Sequence, residues 1–336
     1  MRVLIVGAGS VGKRHLLNLR GLGVAELGMV DARADRREAV AREAGVVGVY
    51  ESVDAATRDP YDAMVVATPT ACHTADAMAG LSAGMHVLME KPISHELDGV
   101  AETLDLARRA ARAYMVGYTY RFSPMLQRAK ALIEAGTIGR LLFMDVTFSQ
   151  YLPDWHPWED YRSWFMSRKD LGGGALLDET HGIDLARWFA GEVRDVFAHV
   201  GNLSALEMTA DDFAQLLVTF ADGAKGSIHL DVFGRRHRRT VDLFGERGHV
   251  SCDMSTSEMR VYEADAKVSN VVTFAGERND MFVAEVRHFL ECVAGRAAPC
   301  VSGEDALQTL AVALAARASS ASGRLVAVGD GRRGSL

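Results

Sequence analysis

A glycine-rich segment directly follows the first apolar run of the chain. Residues 3–6 read Val-Leu-Ile-Val, and residues 7–12 read Gly-Ala-Gly-Ser-Val-Gly before a helical pattern begins. This is G-x-G-x-x-G between a strand and a helix, the setting in which the motif cradles a pyrophosphate. Gly7 permits the tight turn, Gly9 lets the backbone approach the phosphates, and Gly12 lets helix and strand pack closely. The segment therefore predicts a dinucleotide-binding βαβ unit.

Two further features of this unit support a dinucleotide. Ser10 and Val11 open the helix whose N-terminus attracts the phosphates. Asp31 ends the second predicted strand, 19 residues after Gly12. A carboxylate there hydrogen-bonds the adenosine ribose and repels a 2′-phosphate, so it favours NAD over NADP. NADP stays open because three arginines that could bind a 2′-phosphate follow closely: Arg33, Arg36 and Arg37. The alternatives are a glycine turn in an unrelated α/β fold and a methyltransferase with a similar loop.

The first third of the chain alternates short apolar runs with helical patterns. Such alternation is typical of βαβ units and a parallel sheet whose strands are buried on both faces. The predicted strands are 3–6, 27–30, 63–67, 86–89 and 113–116. We therefore predict a Rossmann domain over residues 1–118.

The pattern changes beyond residue 118. Strands now follow one another with turn signals between them, which predicts an antiparallel sheet. The predicted strands are 142–148, 196–203, 213–220, 226–232, 240–244, 249–253 and 259–263, and the predicted helices are 126–135, 174–190, 282–293 and 302–317. Residues 119–336 are thus predicted to form an α/β domain, with an open, mostly antiparallel sheet, that binds substrate and carries the oligomer contact. The fold class is α/β.

Composition excludes several classes of protein. Hydrophobic residues make up 49% and charged residues 24% of the chain, as in an ordinary globular protein. The formal net charge is −7 with no basic block, which argues against a nucleic-acid partner. The longest apolar stretch has seven residues, whereas a membrane span needs roughly 20. Four cysteines without C-x-x-C spacing, and the lack of a signal-peptide pattern, predict a cytoplasmic protein with no metal site.

Two motifs stand where predicted parallel strands end. Residues 67–73 read A-T-P-T-A-C-H, and residues 90–92 read E-K-P. Open α/β sheets bind ligands at the carboxyl ends of their strands. Lys91 is therefore positioned to reach both the nicotinamide end of a cofactor and a substrate hydroxyl. The alternative is an exposed loop lysine without a role.

The order of these motifs resembles the Gfo/Idh/MocA oxidoreductases. After G-A-G-S-V-G, A-T-P-T-A-C-H and E-K-P, the chain continues with G-Y-T-Y-R-F-S-P at 117–124, G-T-I-G-R-L at 136–141 and G-G-G-A-L-L-D-E-T-H-G-I-D at 172–184. The resemblance covers nearly the whole chain. It implies a Rossmann domain followed by a domain that carries sugar or cyclitol substrates.

The resemblance also implies roles for individual residues. Lys91 matches the active-site lysine of the family, His181 its general acid/base and Asp178 its assisting carboxylate. Asp178 and His181 are three residues apart, which places them on one face of a continuous helix, and this spacing resembles members from surface-glycan and nucleotide-sugar pathways. The positions that match cofactor or pocket residues are Thr68, Pro69, His73, Glu90 and Arg121.

An aromatic stretch provides candidate substrate contacts. Residues 151–164 contain three of the four tryptophans. Trp155 and Tyr161 could stack on a sugar ring, and Arg162 could reach a phosphate. The alternative is a loop that buries its own aromatic side chains.

Together these features predict an NAD(P)-dependent dehydrogenase or reductase. It transfers a hydride between nicotinamide and a secondary hydroxyl or keto carbon of a sugar or nucleotide sugar. An inositol (cyclitol) dehydrogenase is the alternative within the same chemistry, and an inactive dinucleotide-binding regulator is the alternative of another class. An exposed face of the antiparallel sheet predicts a homo-oligomer, either a dimer or a tetramer.

Overall fold

A computed structural model describes residues 1–265 and 267–329 and divides the chain into two compact units. Unit 1 comprises Met1–Thr119 and Glu277–Leu307, and unit 2 comprises Tyr120–Gly276 and the chain from Gln308 onward. The strands are β1 (Arg2–Val6), β2 (Glu26–Val30), β3 (Gly48–Tyr50), β4 (Ala63–Val66), β5 (His86–Glu90), β6 (Tyr114–Gly117), β7 (Leu141–Tyr151), β8 (Val193–Gly201), β9 (Phe213–Phe220), β10 (Lys225–Asp231), β11 (Phe233–Gly245), β12 (Gly248–Asp253), β13 (Glu258–Glu263), β14 (Val268–Thr273) and β15 (Val326–Ala327). The α-helices are α1 (Ser10–Gly21), α2 (Ala34–Ala44), α3 (Val53–Ala56), α4 (His73–Ser82), α5 (Val100–Ala110), α6 (Pro124–Glu134), α7 (Ala175–Asp178), α8 (Thr180–Ala190), α9 (Arg278–Val293) and α10 (Gly303–Ser322).

Unit 1 is built on a parallel sheet of six strands. Their order is β3-β2-β1-β4-β5-β6. The central strands carry apolar side chains on both faces, and every residue of β4 is buried, because helices cover both sides of such a sheet. The chain leaves β1 toward β2 on one side, and β4 lies on the other. This reversal of strand order is where open α/β sheets bind ligands.

Unit 2 is built on a sheet of nine strands in the order β14-β13-β12-β11-β7-β10-β9-β8-β15. All neighbours are antiparallel except β7 and β10, which run parallel. Helix α8 packs against these two strands. A side chain at Gly182 would lie 2.9 Å from Leu230 and 3.3 Å from Val146, so the glycine permits the close approach.

The predicted α/β class, with a Rossmann sheet and a mostly antiparallel second sheet, is confirmed. Several details differ. The predicted helix 174–190 is wrong as one helix, because it is interrupted at Glu179, and β3, α3 and β14 were not predicted. The segment Glu277–Leu307 returns to unit 1, whereas the sequence placed it in the second domain. Residues 330–336 of that predicted domain lie outside the described residues. Within the described residues, no helix combines the length and apolar character needed to cross a bilayer.

Candidate active site

The glycine turn after β1 has the geometry that a dinucleotide requires. Gly7 has φ +101°, and its N–H donates to Val30 O at 2.8 Å. A Cβ at Gly12 would lie 1.8 Å from Gly7 O, so this helix start tolerates no side chain there. A Cβ at Gly9, in contrast, would meet no protein atom within 4 Å. No side chain caps the N-terminus of α1, so its N–H groups are left to an anion, and the turn fits a pyrophosphate.

Asp31 lies directly after β2 and is held by backbone N–H groups. Its Oδ2 accepts from Ala8 N and its Oδ1 from Arg33 N, both at 2.8 Å. The carboxylate is therefore fixed beside the glycine turn, where an adenosine ribose would lie.

The three arginines after Asp31 differ in their partners. The Arg33 guanidinium pairs with Asp35, and that of Arg37 donates to the carbonyls of Asp31 and Ala32 at 3.1 Å. These contacts direct two of the three guanidinium groups toward the protein itself. Arg36 lies in the first turn of α2.

His73 joins the two turns at the carboxyl ends of β4 and β5. Its Nδ1 lies 2.7 Å from Pro92 O, and its Nε2 lies 3.0 Å from Thr68 O. The ring is 1% exposed, and burial lowers the pKa of His73 although the two carbonyls and Glu90 oppose this. The sequence placed His73 beside the nicotinamide. The structure gives it the task of holding Thr68 and the Lys91–Pro92 turn together.

Glu90 ends β5 and pairs with a buried histidine of α1. Its Oε1 lies 2.7 Å from His15 Nε2, and the Glu90 side chain is 13% exposed. Burial alone would raise the pKa of Glu90, but His15, Lys91 and His73 hold it below its ordinary value. Lys91 follows at once and is half-buried, so the alternative of an exposed loop lysine does not describe it.

In unit 2, a glycine triplet sets the start of α7. Gly174 has φ +112°, and a Cβ there would lie 2.6 Å from the carboxylate of Asp211. The Leu176 N–H donates to Asp211 Oδ2, and the Ala175 N–H donates to the Asp211 carbonyl, each at 2.8 Å. Burial raises the pKa of Asp211, although the Leu176 N–H and the Arg317 guanidinium oppose this. The glycines thus let one buried carboxylate fix the short helix that ends at Asp178.

His181 lies in the first turn of α8, and Asp178 is the last residue of α7. The helix break at Glu179 means that the two side chains do not share one face of one helix, which corrects the expectation from their spacing. The His181 ring is half-buried and meets Tyr120 edge to face, with the ring centroids 4.9 Å apart.

A buried ionic network lies beside these residues, and the sequence did not reveal it. Arg239 Nη2 donates to Glu179 Oε1 at 3.0 Å, and its Nη1 donates to the Tyr120 hydroxyl. Gln150 Nε2 donates to the same Glu179 oxygen at 2.7 Å. Burial lowers the pKa of Arg239, but Glu179, Tyr120 and Asp178 more than offset this and raise it above its ordinary value. The signal in the sequence was the segment R-R-H-R-R at 235–239, which does not indicate which of its four arginines is buried.

Arg121, a predicted pocket residue, is held in a bidentate ion pair. Its Nε and Nη2 donate to Asp184 at 2.9 and 2.6 Å, and its guanidinium lies 5.9 Å from the centre of the Trp188 ring. Arg121 is 7% and Asp184 1% exposed. The pair ties the start of unit 2 to α8 and so supports the helix that carries His181.

The aromatic stretch packs largely on itself. Trp155 and Tyr161 lie against a buried cluster that includes Leu152 and Met166. The Tyr161 hydroxyl accepts from Glu207 N, while the exposed Arg162 pairs with Asp160 and Glu207. The structure thus favours the alternative of a self-packed loop for Trp155 and Tyr161.

The chain is similar to known proteins over most of its length. A model described as oxidoreductase family, NAD-binding Rossmann fold, matches residues 1–118, and the GFO/IDH/MocA C-terminal domain matches residues 126–251. A myo-inositol 2-dehydrogenase of Thermotoga maritima is 30% identical over 332 residues, 95% of this chain and 96% of that protein. A levoglucosan dehydrogenase of Pseudarthrobacter phenanthrenivorans is 28% identical over 74% of this chain and 73% of that protein. A structure of levoglucosan dehydrogenase in complex with NADH and L-sorbose is similar in fold, with a TM-score of 0.90 at 24% identity over 98% of this chain and 99% of that one. The predicted NAD cofactor is confirmed.

Proposed function

The chain belongs to the Gfo/Idh/MocA family of NAD-binding oxidoreductases, as its motifs predicted, and we propose that its substrate is a sugar, a nucleotide sugar or a cyclitol. A hydride would pass between the nicotinamide and a secondary hydroxyl or keto carbon. The observation that carries this proposal is the arrangement of unit 1: a glycine turn and Asp31 form a dinucleotide cradle, and Lys91 follows β5 at the same edge of the sheet.

Each reactive residue has a role that its chemistry suits. NAD, when bound, accepts or supplies the hydride. Lys91 would stabilise the developing alkoxide as a cation, and His181 would accept the hydroxyl proton and return it in the reverse direction. Asp178 would assist His181 or hydrogen-bond a substrate hydroxyl. Tyr120 fixes one side of the His181 ring through its edge-to-face contact.

The cyclitol alternative has direct support. The relative that is 30% identical over 95% of the chain is a myo-inositol 2-dehydrogenase. Cyclitols and sugars both carry secondary hydroxyls, so the roles named above suit either class of substrate.

A homo-oligomer is part of the proposal. On the exposed face of the unit 2 sheet, Phe143 and Phe244 lie on neighbouring strands with ring centroids 5.8 Å apart, and both are more than a third exposed. Exposed aromatic pairs of this kind mark association surfaces. Light scattering on the purified chain tests this; a monomer at micromolar concentration would contradict it. The cytoplasmic location stays a prediction from the cysteines, all four of which are free.

Cofactor binding and turnover test the proposal separately. We expect nicotinamide fluorescence to report tight binding of NADH and weaker binding of NADPH, because Asp31 disfavours a 2′-phosphate. NAD⁺ reduction with a panel of sugars, nucleotide sugars and inositols then identifies the substrate class. Binding without turnover on the whole panel would favour an inactive regulator. If the protein bound neither NADH nor NADPH, the proposal of a dehydrogenase would be contradicted.

Two variants test the reactive residues. Lys91→Ala and His181→Ala are each expected to bind NADH normally while kcat falls by about 10²–10⁴-fold, the usual contribution of a positioned acid/base. Lys130→Ala and His199→Ala are matched controls, because Lys130 pairs with Glu134 on α6 and His199 is exposed on β8. Unchanged kcat in the two test variants would remove both catalytic assignments.

A further inference from the structure

Three ionisable side chains from distant parts of unit 1 meet in its interior. His15 belongs to α1, Glu90 ends β5 and Glu285 lies on α9. One side-chain atom from each lies within 4.8 Å of the others, and the His15–Glu90 contact is 2.7 Å. Two carboxyl groups therefore share a buried space with one imidazole.

Glu285 is closed off from solvent. His15 and Glu285 are both 0% exposed. Thr119 Oγ1 donates to Glu285 Oε2 at 3.3 Å, whereas Glu285 Oε1 is buried with no hydrogen-bond partner among the described residues. A Cβ at Gly117 would lie 3.6 Å from this oxygen and 3.6 Å from the Glu90 carboxyl carbon. The two carboxyl groups are thus packed around the same glycine.

The charged groups around this cluster contact Glu90 and Glu285 unequally. The titratable and charged groups that act on Glu90 or Glu285, together with their nearest charged neighbours, are Arg14 and His15 on α1, His73 on α4, Lys91 after β5 and Arg278 on α9. His15 hydrogen-bonds Glu90 at 2.7 Å, whereas the donor to Glu285 is the uncharged hydroxyl of Thr119. Burying a carboxylate without a cation bonded to it is unfavourable, and a proton removes the charge that causes this.

The two carboxyl groups respond in opposite directions. Burial and the charge of Glu90 raise the pKa of Glu285 well above its ordinary value, against the effect of the Thr119 hydroxyl. The pKa of Glu90 is held low by His15, Lys91 and His73 despite its burial. A single proton on Glu285 therefore removes one of the two adjacent negative charges and leaves Glu90 ionised against His15.

We propose that Glu285 is a positioning residue: it carries a proton at neutral pH, leaves Glu90 ionised on His15, and so fixes the end of β5 for cofactor binding. The carboxyl proton makes the otherwise unpartnered oxygen a donor, and it prevents two negative charges from separating α9 from β5. Because Lys91 is the next residue in the chain, any shift of the Glu90 backbone moves Lys91 as well. The proposal uses the NAD-binding role of unit 1 and does not require a particular substrate.

Infrared spectroscopy in D₂O tests the proton directly. At neutral pH the difference spectrum of native protein minus Glu285→Gln is expected to show the C=O band of a buried protonated carboxyl, because any band from Asp211, whose pKa burial also raises, cancels in the difference. Glu291→Gln is the matched control, since Glu291 lies exposed on the same helix in an ion pair with Arg296. No such band in this difference spectrum would overturn the proposal.

Stability as a function of pH is a second test. Above the ordinary pKa of 4.5, the folded chain holds a proton on Glu285 that the unfolded chain lacks. The free energy of unfolding therefore falls as pH rises toward the raised pKa of the folded state. Between about pH 5 and pH 7 the unfolding constant of the native protein should rise about tenfold per pH unit relative to Glu285→Gln. Hydrogen exchange of β1, β4 and β5 amides measures this constant for unit 1 itself. Parallel pH curves for the two proteins would contradict the proposal.

NADH binding tests the positioning role. Glu285→Gln keeps a hydrogen-bond donor and should bind NADH within twofold of the native protein, whereas Glu285→Ala should bind about tenfold more weakly, the effect of one lost hydrogen bond. If Glu285→Ala bound NADH as tightly as the native protein, the positioning role would be refuted, even if turnover of a substrate supported the proposed function. His15, Glu90 and Glu285 could also hold a metal ion, so the metal content of the purified protein is measured. A stoichiometric divalent metal that is lost in Glu285→Gln would overturn the proposal that Glu285 carries a proton.

Discussion

Replacing Arg239 by methionine tests whether the buried network beside His181 is an ion pair that unit 2 depends on. Arg239 is 6% exposed, and its guanidinium lies 3.0 Å from Glu179 and 4.9 Å from the centre of the Phe148 ring. Methionine preserves much of the packing but removes the positive charge. Glu179, which is 1% exposed, then loses this cation and keeps the hydrogen bond from Gln150.

The expected loss in the free energy of unfolding is about 3–5 kcal/mol, because removing one partner leaves an uncompensated buried charge. The double variant Arg239→Met/Glu179→Gln removes both charges and should lose clearly less than Arg239→Met alone. The deficit of Arg239→Met should also shrink as pH falls, since a proton can then neutralise Glu179. An apolar packing defect would not respond to pH in this way.

The assay can be restricted to unit 2. All four tryptophans, at positions 155, 158, 164 and 188, belong to that unit, so urea unfolding followed by tryptophan fluorescence reports its stability. A loss below about 1 kcal/mol, or a double variant whose loss equals the sum of the two single variants, would refute the ion-pair interpretation.

Three further predictions concern unit 1. Gly9→Ala should leave the melting temperature unchanged but abolish the NADH fluorescence enhancement, because its Cβ meets no protein atom and points into the phosphate position. Gly12→Ala should lower both the melting temperature and the fluorescence enhancement, because its Cβ would lie 1.8 Å from a carbonyl oxygen. Asp31→Ser should weaken NADH binding by about 1.5–3 kcal/mol, the contribution of hydrogen bonds to a charged group, and narrow its preference over NADPH; an unchanged ratio of the two dissociation constants would contradict this role. His73→Ala removes the ring that contacts the Pro92 and Thr68 carbonyls and should cost about 1–3 kcal/mol in thermal or urea unfolding, whereas no change would show that the ring does not join the two turns.

The order of elements in unit 1 could be predicted because its central strands are continuous apolar runs between recognisable helices. The strand at Gly48–Tyr50 was missed for the opposite reason: it has three residues, lies at the sheet edge and buries none of them fully. The edge strand Val268–Thr273 reads V-S-N-V-V-T, without a regular alternation of apolar and polar residues. Edge strands of this kind depend on a neighbour for their hydrogen bonds, and the sequence of the strand does not identify that neighbour.

The break between α7 and α8 has a long-range cause. Neither glycine nor proline stands at 179, and the buried residues on both sides continue a helical pattern, so local sequence predicts one helix. Glu179 has φ −91° and ψ 25°, and its carboxylate reaches Arg239, which is 60 positions away. The break thus coincides with a buried ion pair whose partner lies far along the chain, and local helix preference gives no sign of that partner.

The same distinction separates the site residues that the sequence revealed from those it did not. Lys91 and His181 stand in motifs that can be recognised locally, but the groups that set their surroundings come from elsewhere in the chain: Glu285 acts on Glu90 from α9, and Arg239 holds Tyr120 from β11. Glu285 and Arg239 are buried, so each acts through the charge of the side chain that it contacts and not by touching the substrate. Neutral variants of similar shape, such as Glu285→Gln, therefore separate the electrostatic contribution from packing, which alanine variants of the motif residues cannot do.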